Sequence, residues 1–265
     1  IDLITYLFTK RPTAEELATL QNRHRILIPF GIPQAGSRLL QLADQLAVKD
    51  DKVTQITALH LTVGSDISIQ DAKIFEAEGF VPILQTARDL GLEIKTQYKV
   101  SGNISREIVN FANKGHYNLM LVGSSRSMFS SNETGGRAKY FFDDAKCTVG
   151  VLVDRGFHKI NHMMIIIDKP ADVYLLNIGR QFLHRLDTQI TIWDQHCHLK
   201  SDQTCGGLIT EKNNHQIARV EASLIENAFI DQQELLVVSL DYWNQLKKQR
   251  ADWINYSPSL LIINK

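Results

Sequence analysis

One polar segment of the chain contains the residue types that hold phosphate groups in proteins. Glycine stands at Gly123 and Gly136, arginine stands at Arg126 and Arg137, and several serines lie between them, Ser125 included. Glycine lets the backbone approach an anion closely, so that N–H groups can point at phosphate oxygens. An arginine guanidinium pairs with phosphate oxygens as a fork. The segment therefore indicates either a site for a phosphate-bearing ligand or a flexible polar loop that binds nothing.

A second group of residues has side chains that can bind a metal ion. It comprises His196, Cys197, His198, Cys205 and His215. Their spacing does not match a common zinc module, and neighbouring residues of one strand point to opposite faces. The pattern therefore indicates a polar loop with incidental histidines, and we expect no metal site.

The spacing of apolar residues predicts the helices and strands around the polar segment 123–137. The run 25–30, ended by Gly31 and Pro33, predicts a strand buried on both faces, and further strands are predicted at 55–63, 92–100, 119–122 and 149–153. Helical periodicity predicts helices between them, at 37–47, 71–90, 104–113 and 136–146. Strands that alternate with helices indicate an α/β fold with a parallel sheet.

The same alternation restarts after residue 156 in a shorter, eroded form. Strands are predicted at 163–167, 189–193, 217–220, 235–238 and 260–263, with helices at 173–186, 224–230 and 242–253. The chain is therefore a tandem repeat of two five-stranded units. Parallel sheets of this kind bind ligands at the carboxyl ends of the strands, where the strand order reverses.

Each half resembles a universal stress protein domain, an α/β fold that often binds an adenine nucleotide. The resemblance rests on Ile28-Pro29-Phe30-Gly31 after the first strand, Val100-Ser101-Gly102 after the third, and Ala145-Lys146-Cys147-Thr148-Val149 before the fifth. The family's fourth strand runs into a loop of Gly, two residues, Gly, nine residues, Gly and then Ser or Thr. Here arginines replace the second glycine and the final hydroxyl residue of that pattern.

The resemblance implies a site for ATP or AMP in the first half of the chain. The residues that match the family's site are Pro29, Gly31, Gly102, Gly123, Ser125, Arg126, Gly136 and Arg137. Gly31 stands where the family has an aspartate on the adenosine side, so one charge-assisted hydrogen bond is missing. In the second half Asp168 is present, but Ser239-Leu240-Asp241-Tyr242-Trp243 replaces the glycine loop. We therefore expect the second half to be structural, with Asp168 as a turn or helix-capping residue.

Domains of this family commonly pair through their last strands. The resemblance therefore implies that 149–153 pairs with 260–263 inside the chain, so that the second half is a built-in partner of the first. A homodimer of two chains is the other arrangement that it implies.

The first residues of the sequence suggest a more particular relationship. Eight mostly apolar residues, 1–8, are followed by Lys10-Arg11-Pro12. Such a pattern is typical of the point where the last transmembrane helix of a protein meets the cytoplasm. A short docking helix is the alternative interpretation. Together with the two following domains, this join resembles the cytoplasmic C-terminal region of bacterial cation:proton antiporters (Na⁺/H⁺ or K⁺/H⁺). The resemblance implies a membrane-proximal linker or helix at 1–23, a first domain at 24–156 and a degenerate second domain at 157–265. It also implies a location on the cytoplasmic side of the inner membrane, with the transport domain of the same polypeptide as partner.

Composition and motifs narrow the remaining classes of function. The chain has 265 residues, 44% of them hydrophobic, with 29 basic and 29 acidic side chains. This is globular composition without the basic excess of a nucleic-acid-binding protein. No nucleophile elbow or general-base constellation is present, so we expect no enzyme activity. A regulatory domain of an antiporter and a free-standing tandem stress protein that binds ATP or AMP remain the two hypotheses.

Overall fold

The structure is a computed structural model. It describes residues 23–47, 53–64, 68–124, 136–156, 159–183, 187–199, 216–222, 225–249 and 257–264. The proposed membrane-proximal segment 1–23 therefore lies, except for its last residue, outside the described residues.

The first half alternates strands and helices as the apolar pattern predicts. Its elements are β1 (Arg23–Phe30), α1 (Pro33–Leu46), β2 (Val53–Val63), α2 (Ile69–Leu90), β3 (Ile94–Ser101), α3 (Ile104–Gly115), β4 (Leu119–Gly123), α4 (Gly136–Asp144) and β5 (Thr148–Val153). Helix α3 begins after Asn103, whose side-chain oxygen accepts a hydrogen bond from the N–H of Arg106 at 3.1 Å. This is the N-cap that stabilises the first turn of a helix.

The second half repeats this order with shorter helices. Its elements are β6 (His162–Ile167), a 3₁₀ helix (Pro170–Leu175), α5 (Leu176–Phe182), β7 (Gln189–Asp194), β8 (Ile217–Val220), α6 (Asn227–Ile230), β9 (Leu235–Ser239), α7 (Leu240–Gln249) and β10 (Ser259–Asn264). Two five-stranded units are therefore present, and the predicted α/β fold is confirmed.

One expectation for the second half needs correction. The helix predicted at 173–186 begins earlier, as a 3₁₀ turn at Pro170, and α5 ends at Phe182. The capping carboxylate is Asp172 rather than Asp168, because Asp172 accepts hydrogen bonds from the N–H groups of Asp168 and Lys169, both at 3.2 Å. The fixed φ of proline suits the first position of the turn.

All ten strands of the described residues form one continuous sheet. The strand order is β3-β2-β1-β4-β5-β10-β9-β6-β7-β8. Neighbouring strands are parallel except at the centre, where β5 and β10 are antiparallel. The two halves are therefore related by an approximate two-fold axis at this seam, and the carboxyl ends of their parallel strands lie at opposite edges of the sheet.

The seam between the halves is the strand pairing that the sequence predicts. Val153 pairs with Leu260 at one end, and Val149 pairs with Asn264 at the other. Gly150 lies opposite Ile263, and a Cβ atom at Gly150 would lie 3.0–3.1 Å from the side chains of Leu121, Leu261 and Ile263. Glycine therefore leaves room for large side chains of both halves to pack over the seam.

The sheet is buried on both faces, and the buried side chains of each face cross the seam. One face holds Ile26, Leu121, Leu261 and Ile263, while Leu27, Val151 and Ile262 lie on the other. Helices that cover both faces explain why the strands are continuous apolar runs rather than alternating ones. The hydrophobic effect therefore stabilises the two halves as one unit.

Gly79 on α2 lies against a buried aromatic cluster and gives a direct test of this packing. A Cβ atom at Gly79 would lie 2.2 Å from the ring of His60, which is buried and stacks on Phe30 at 5.0 Å between centroids. Gly79→Ala should therefore lower the free energy of unfolding by about 1–3 kcal/mol through overpacking, although alanine favours helices. Urea unfolding followed by circular dichroism measures the change. A stabilised variant would show that the ring has room to move.

His60 packs between the end of β1 and α2 and contributes to this aromatic cluster. Its Nδ1 lies 3.3 Å from the carbonyl oxygen of Phe30, and burial lowers the pKa of the imidazole. A buried, neutral ring that fills space beside β1 supports the strand end that borders the site described next.

Candidate functional site

A cleft of about 260 Å³ opens at the carboxyl ends of β1 and β4. The chain passes from β1 to β2 on one side and later returns to β4 on the other, so the strand order reverses here. This is where open α/β sheets bind ligands. We call this space the apolar cleft; it is lined by Pro29, Phe30, Gly31, Ile32, Ala35, Leu39, Leu61, Val63, Ile104, Ile108, Val122, Gly123, Ser124 and Phe141.

The chemistry of the apolar cleft is set by the elements around it. Leu61 comes from β2, Ile108 from α3 and Phe141 from α4. Among the described lining residues, Ser124 alone has a polar side chain, and none is charged. At the rim, Ile32 and Val63 are 66% and 74% exposed. A concave apolar surface with a few polar backbone groups is suited to a flat ring system.

Three of the residues predicted for the nucleotide site border this cleft. They are Pro29, Gly31 and Gly123. Gly31 has room for a side chain with respect to the described residues, of which a Cβ atom there would meet only the carbonyl oxygen of Leu61, at 3.6 Å. Gly102 is not among the lining residues: it follows β3, which β2 separates from β1.

The remaining predicted residues belong to the segment that follows β4. Ser125 and Arg126 lie outside the described residues. Gly136 is the first residue of α4 and Arg137 the second, and the first turn of α4 has no acidic residue. The positive end of this helix dipole is therefore not neutralised by its own side chains. Gly123 at the end of β4 and Gly136 at the start of α4 thus lie on elements that border the cleft.

A second space adjoins the apolar cleft on the other side of β4. This polar recess has a volume of about 310 Å³ and shares Ala35, Leu39, Gly123 and Ser124 with the cleft. Its other lining residues are Gln34, Arg38, Leu152 and Asp154. Ser124 is fixed at the boundary by its N–H, which donates to the carbonyl oxygen of Leu152 at 2.7 Å.

Arg38 is a residue of this region that the sequence motifs do not identify. Its Nε lies 3.7 Å from Oδ2 of Asp154, and its Nη1 donates to Oε1 of Gln41 at 3.2 Å. The sequence could have suggested a role for Arg38 only through its position on the first two turns of α1, which follow the end of the predicted first strand.

The corresponding edge of the second half has a different character. Tyr242 and Trp243 at the start of α7 are buried, and the hydroxyl of Tyr242 accepts a hydrogen bond from Nε2 of Gln195 at 2.6 Å. Lys169 pairs with Asp241. Large side chains thus pack where the first half has glycines.

Asp168 lies within this packed edge. Burial raises the pKa of its carboxyl, and the neighbouring Asp172 adds to the rise. Its backbone carbonyl lies 2.8 Å from Nε2 of His198. The aspartate that matches the family's site is therefore part of a polar side-chain network in the second half.

The described ranges contain no group of three or more His, Cys, Asp or Glu side chains placed to hold a metal ion; Cys205 and His215 lie outside them. No helix within those ranges has the length and apolar character needed to cross a membrane.

The chain is similar to solved structures in its fold, but its sequence matches no family model and no curated protein. A universal stress protein from Archaeoglobus fulgidus has a TM-score of 0.59 at 14% identity, over 92% of this chain and 97% of that chain. The cytoplasmic domain of a prokaryotic cation chloride cotransporter has a TM-score of 0.52 at 8% identity, over 92% of this chain and 96% of that chain.

Shorter structures match one half of the chain. A universal stress protein from Archaeoglobus fulgidus in complex with dAMP covers 48% of this chain and 94% of its own, at 17% identity and a TM-score of 0.37. The two matches that span most of this chain show that it has the tandem fold of a universal stress protein.

Proposed function

We propose that this chain is a ligand-binding regulatory module whose first half binds an adenine nucleotide such as AMP or ATP. The observation that carries the proposal is the apolar cleft at the β1–β4 strand reversal, with Gly123 and the start of α4 at its border. An adenine ring fits an apolar cleft, and backbone N–H groups and a helix N-terminus suit phosphate.

The second half acts in this proposal as a permanent partner of the first. Tyr242 and Trp243 occupy its ligand edge, and the β5–β10 seam attaches it to the first half. One chain therefore binds one nucleotide, and calorimetry should give a stoichiometry near one per chain.

We further propose that the module belongs to a bacterial monovalent cation:proton antiporter and lies on the cytoplasmic side of the inner membrane. The apolar run 1–8 followed by Lys10 and Arg11 supports attachment to a membrane domain. The cytoplasmic domain of a cation chloride cotransporter has the same fold, which supports a transporter setting. A nucleotide would regulate transport only if it bound two transporter states with different affinity. The module itself performs no chemical reaction.

The alternative is a free-standing tandem stress protein with the same nucleotide site. Cell fractionation with an antibody against this chain separates the two hypotheses. Detection in membranes after an alkaline carbonate wash supports the antiporter, whereas detection in the supernatant supports the free-standing protein.

The nucleotide site is tested by restoring the carboxylate that Gly31 lacks. Gly31 has room for a side chain and borders the apolar cleft. A charge-assisted hydrogen bond contributes about 1.5–3 kcal/mol, so Gly31→Asp should bind AMP about tenfold or more tightly than the unchanged chain does. Isothermal titration calorimetry of the 265-residue chain with AMP measures both affinities.

The matched control is Gly102→Asp. A Cβ atom at Gly102 meets no atom of the described residues within 4 Å, and Gly102 does not line the cleft, so the same added charge should leave the affinity unchanged. Absence of AMP and ATP binding in both the unchanged chain and Gly31→Asp would refute the nucleotide site.

A further inference from the structure

The apolar cleft and the polar recess meet at the end of β4 and differ in chemistry. We propose that they form one binding site for a phosphorylated amphipathic ligand, whose ring lies in the cleft and whose phosphate binds the guanidinium of Arg38. The inference rests on the proposed nucleotide site. It adds a phosphate-binding residue that lies on α1, outside the glycine segment.

The two spaces adjoin each other, since both are lined by Ala35, Leu39, Gly123 and Ser124. Gly123 and Ala35 face each other at the boundary, and a Cβ atom at Gly123 would lie 3.9 Å from that of Ala35. Ser124, also at the boundary, is held by its backbone hydrogen bond to Leu152. A ligand that lies across this boundary therefore meets the small residues Gly123, Ala35 and Ser124.

The charges of the region divide in the same way as its shape. The described lining of the apolar cleft contains no charged side chain, whereas the recess contains Arg38 and Asp154. The first turn of α1 has no acidic residue and begins with Pro33, so its helix dipole adds positive potential beside Arg38. A ligand with an apolar ring and an anionic end matches this arrangement.

The pairing of Arg38 with Asp154 is loose enough for a phosphate to replace it. The two side chains are 32% and 33% exposed, and the nearest nitrogen and oxygen are 3.7 Å apart. Ion pairs at this exposure and distance are weak. A phosphate offers two oxygens to one guanidinium and forms shorter charge-assisted bonds. Binding of the ligand therefore exchanges the carboxylate of Asp154 for a phosphate.

The test compares AMP with adenosine, which lacks the phosphate, by calorimetry on the full chain. The unchanged chain should bind AMP more tightly than adenosine. Arg38→Ala should weaken AMP binding about tenfold while adenosine binding stays the same. Arg38→Met, which keeps an apolar stem without charge, should give the same result if the alanine variant folds poorly.

Two further variants separate a role in phosphate binding from a general effect of charge. Asp154→Asn removes the competing carboxylate, and its side-chain oxygen can still accept the hydrogen bond from the N–H of Gly156, which is 2.8 Å long. This variant should bind AMP about threefold more tightly. Arg88→Ala, at an exposed arginine of the last turn of α2 that donates to Gln85, should change nothing.

Each outcome bears on a different claim. Equal affinity of the unchanged chain for AMP and adenosine, or an unchanged AMP affinity in Arg38→Ala and Arg38→Met, would overturn the role of Arg38 and leave the nucleotide site standing. If neither AMP nor adenosine binds to the unchanged chain, both this inference and the proposed function fail.

Discussion

Leu261→Ala should lower the free energy of unfolding by about 2–5 kcal/mol, because it opens a cavity in the middle of the sheet. Leu261 lies on β10 and is 0% exposed. It pairs with Leu152 of the first half and Val237 of the second. The change should shift one cooperative transition of the whole chain in urea, measured by circular dichroism and tryptophan fluorescence together.

A matched truncation on the surface provides the control for this result. Leu84→Ala removes the same atoms from α2, where the side chain is 39% exposed, and should cost less than about 1 kcal/mol. Two separate transitions in the unchanged chain would show that the seam does not couple the halves, and equal losses in the two variants would contradict a cavity at Leu261.

Asp194→Ala should lower the free energy of unfolding by about 2–4 kcal/mol, since it removes the acceptor of two N–H groups and one of the two carboxylates that pair with Arg219, the other being that of Glu221. Asp194 ends β7 and is 0% exposed. Its carboxylate accepts hydrogen bonds from Arg219 of β8 at 2.9 Å and from the N–H groups of His198 and Leu199 at 2.8 and 2.9 Å. Urea unfolding of the full chain measures the loss.

Two other variants test whether burial causes this effect. Asp194→Asn keeps one side-chain oxygen as an acceptor and should lose less than Asp194→Ala does. Asp187→Ala removes an exposed carboxylate that pairs with Lys159, and its urea midpoint should equal that of the unchanged chain. Equal midpoints for Asp187→Ala and Asp194→Ala would contradict the assigned role of Asp194.

The order and type of the elements could be predicted because the strands are buried on both faces. Continuous apolar runs such as 235–238 and 260–263 are typical of strands buried on both faces, and both runs are strands in the structure. The start of the helix predicted at 173–186 differs from the structure, where a 3₁₀ turn begins at Pro170. Periodicity alone does not reveal that Pro170 and the carboxylate of Asp172 begin a 3₁₀ turn before it.

The candidate site could be predicted only where strand ends determine it. Pro29, Gly31 and Gly123 border the cleft because β1 and β4 are neighbours at the strand reversal. Gly102 fits the family's motif, but its strand is separated from β1 by β2. Arg38 was missed because its approach to Asp154 depends on how α1 packs over the end of β5, which no local pattern contains.

The antiparallel seam also determines how the assembly responds to dilution. Two separate subunits joined through such a strand pair would dissociate at low concentration, because their association is bimolecular. Here β5 and β10 belong to one polypeptide, so the contact is unimolecular and its effective concentration is set by the chain itself. Such a contact persists at a few copies per cell, where a dimer of independent subunits would be largely monomeric.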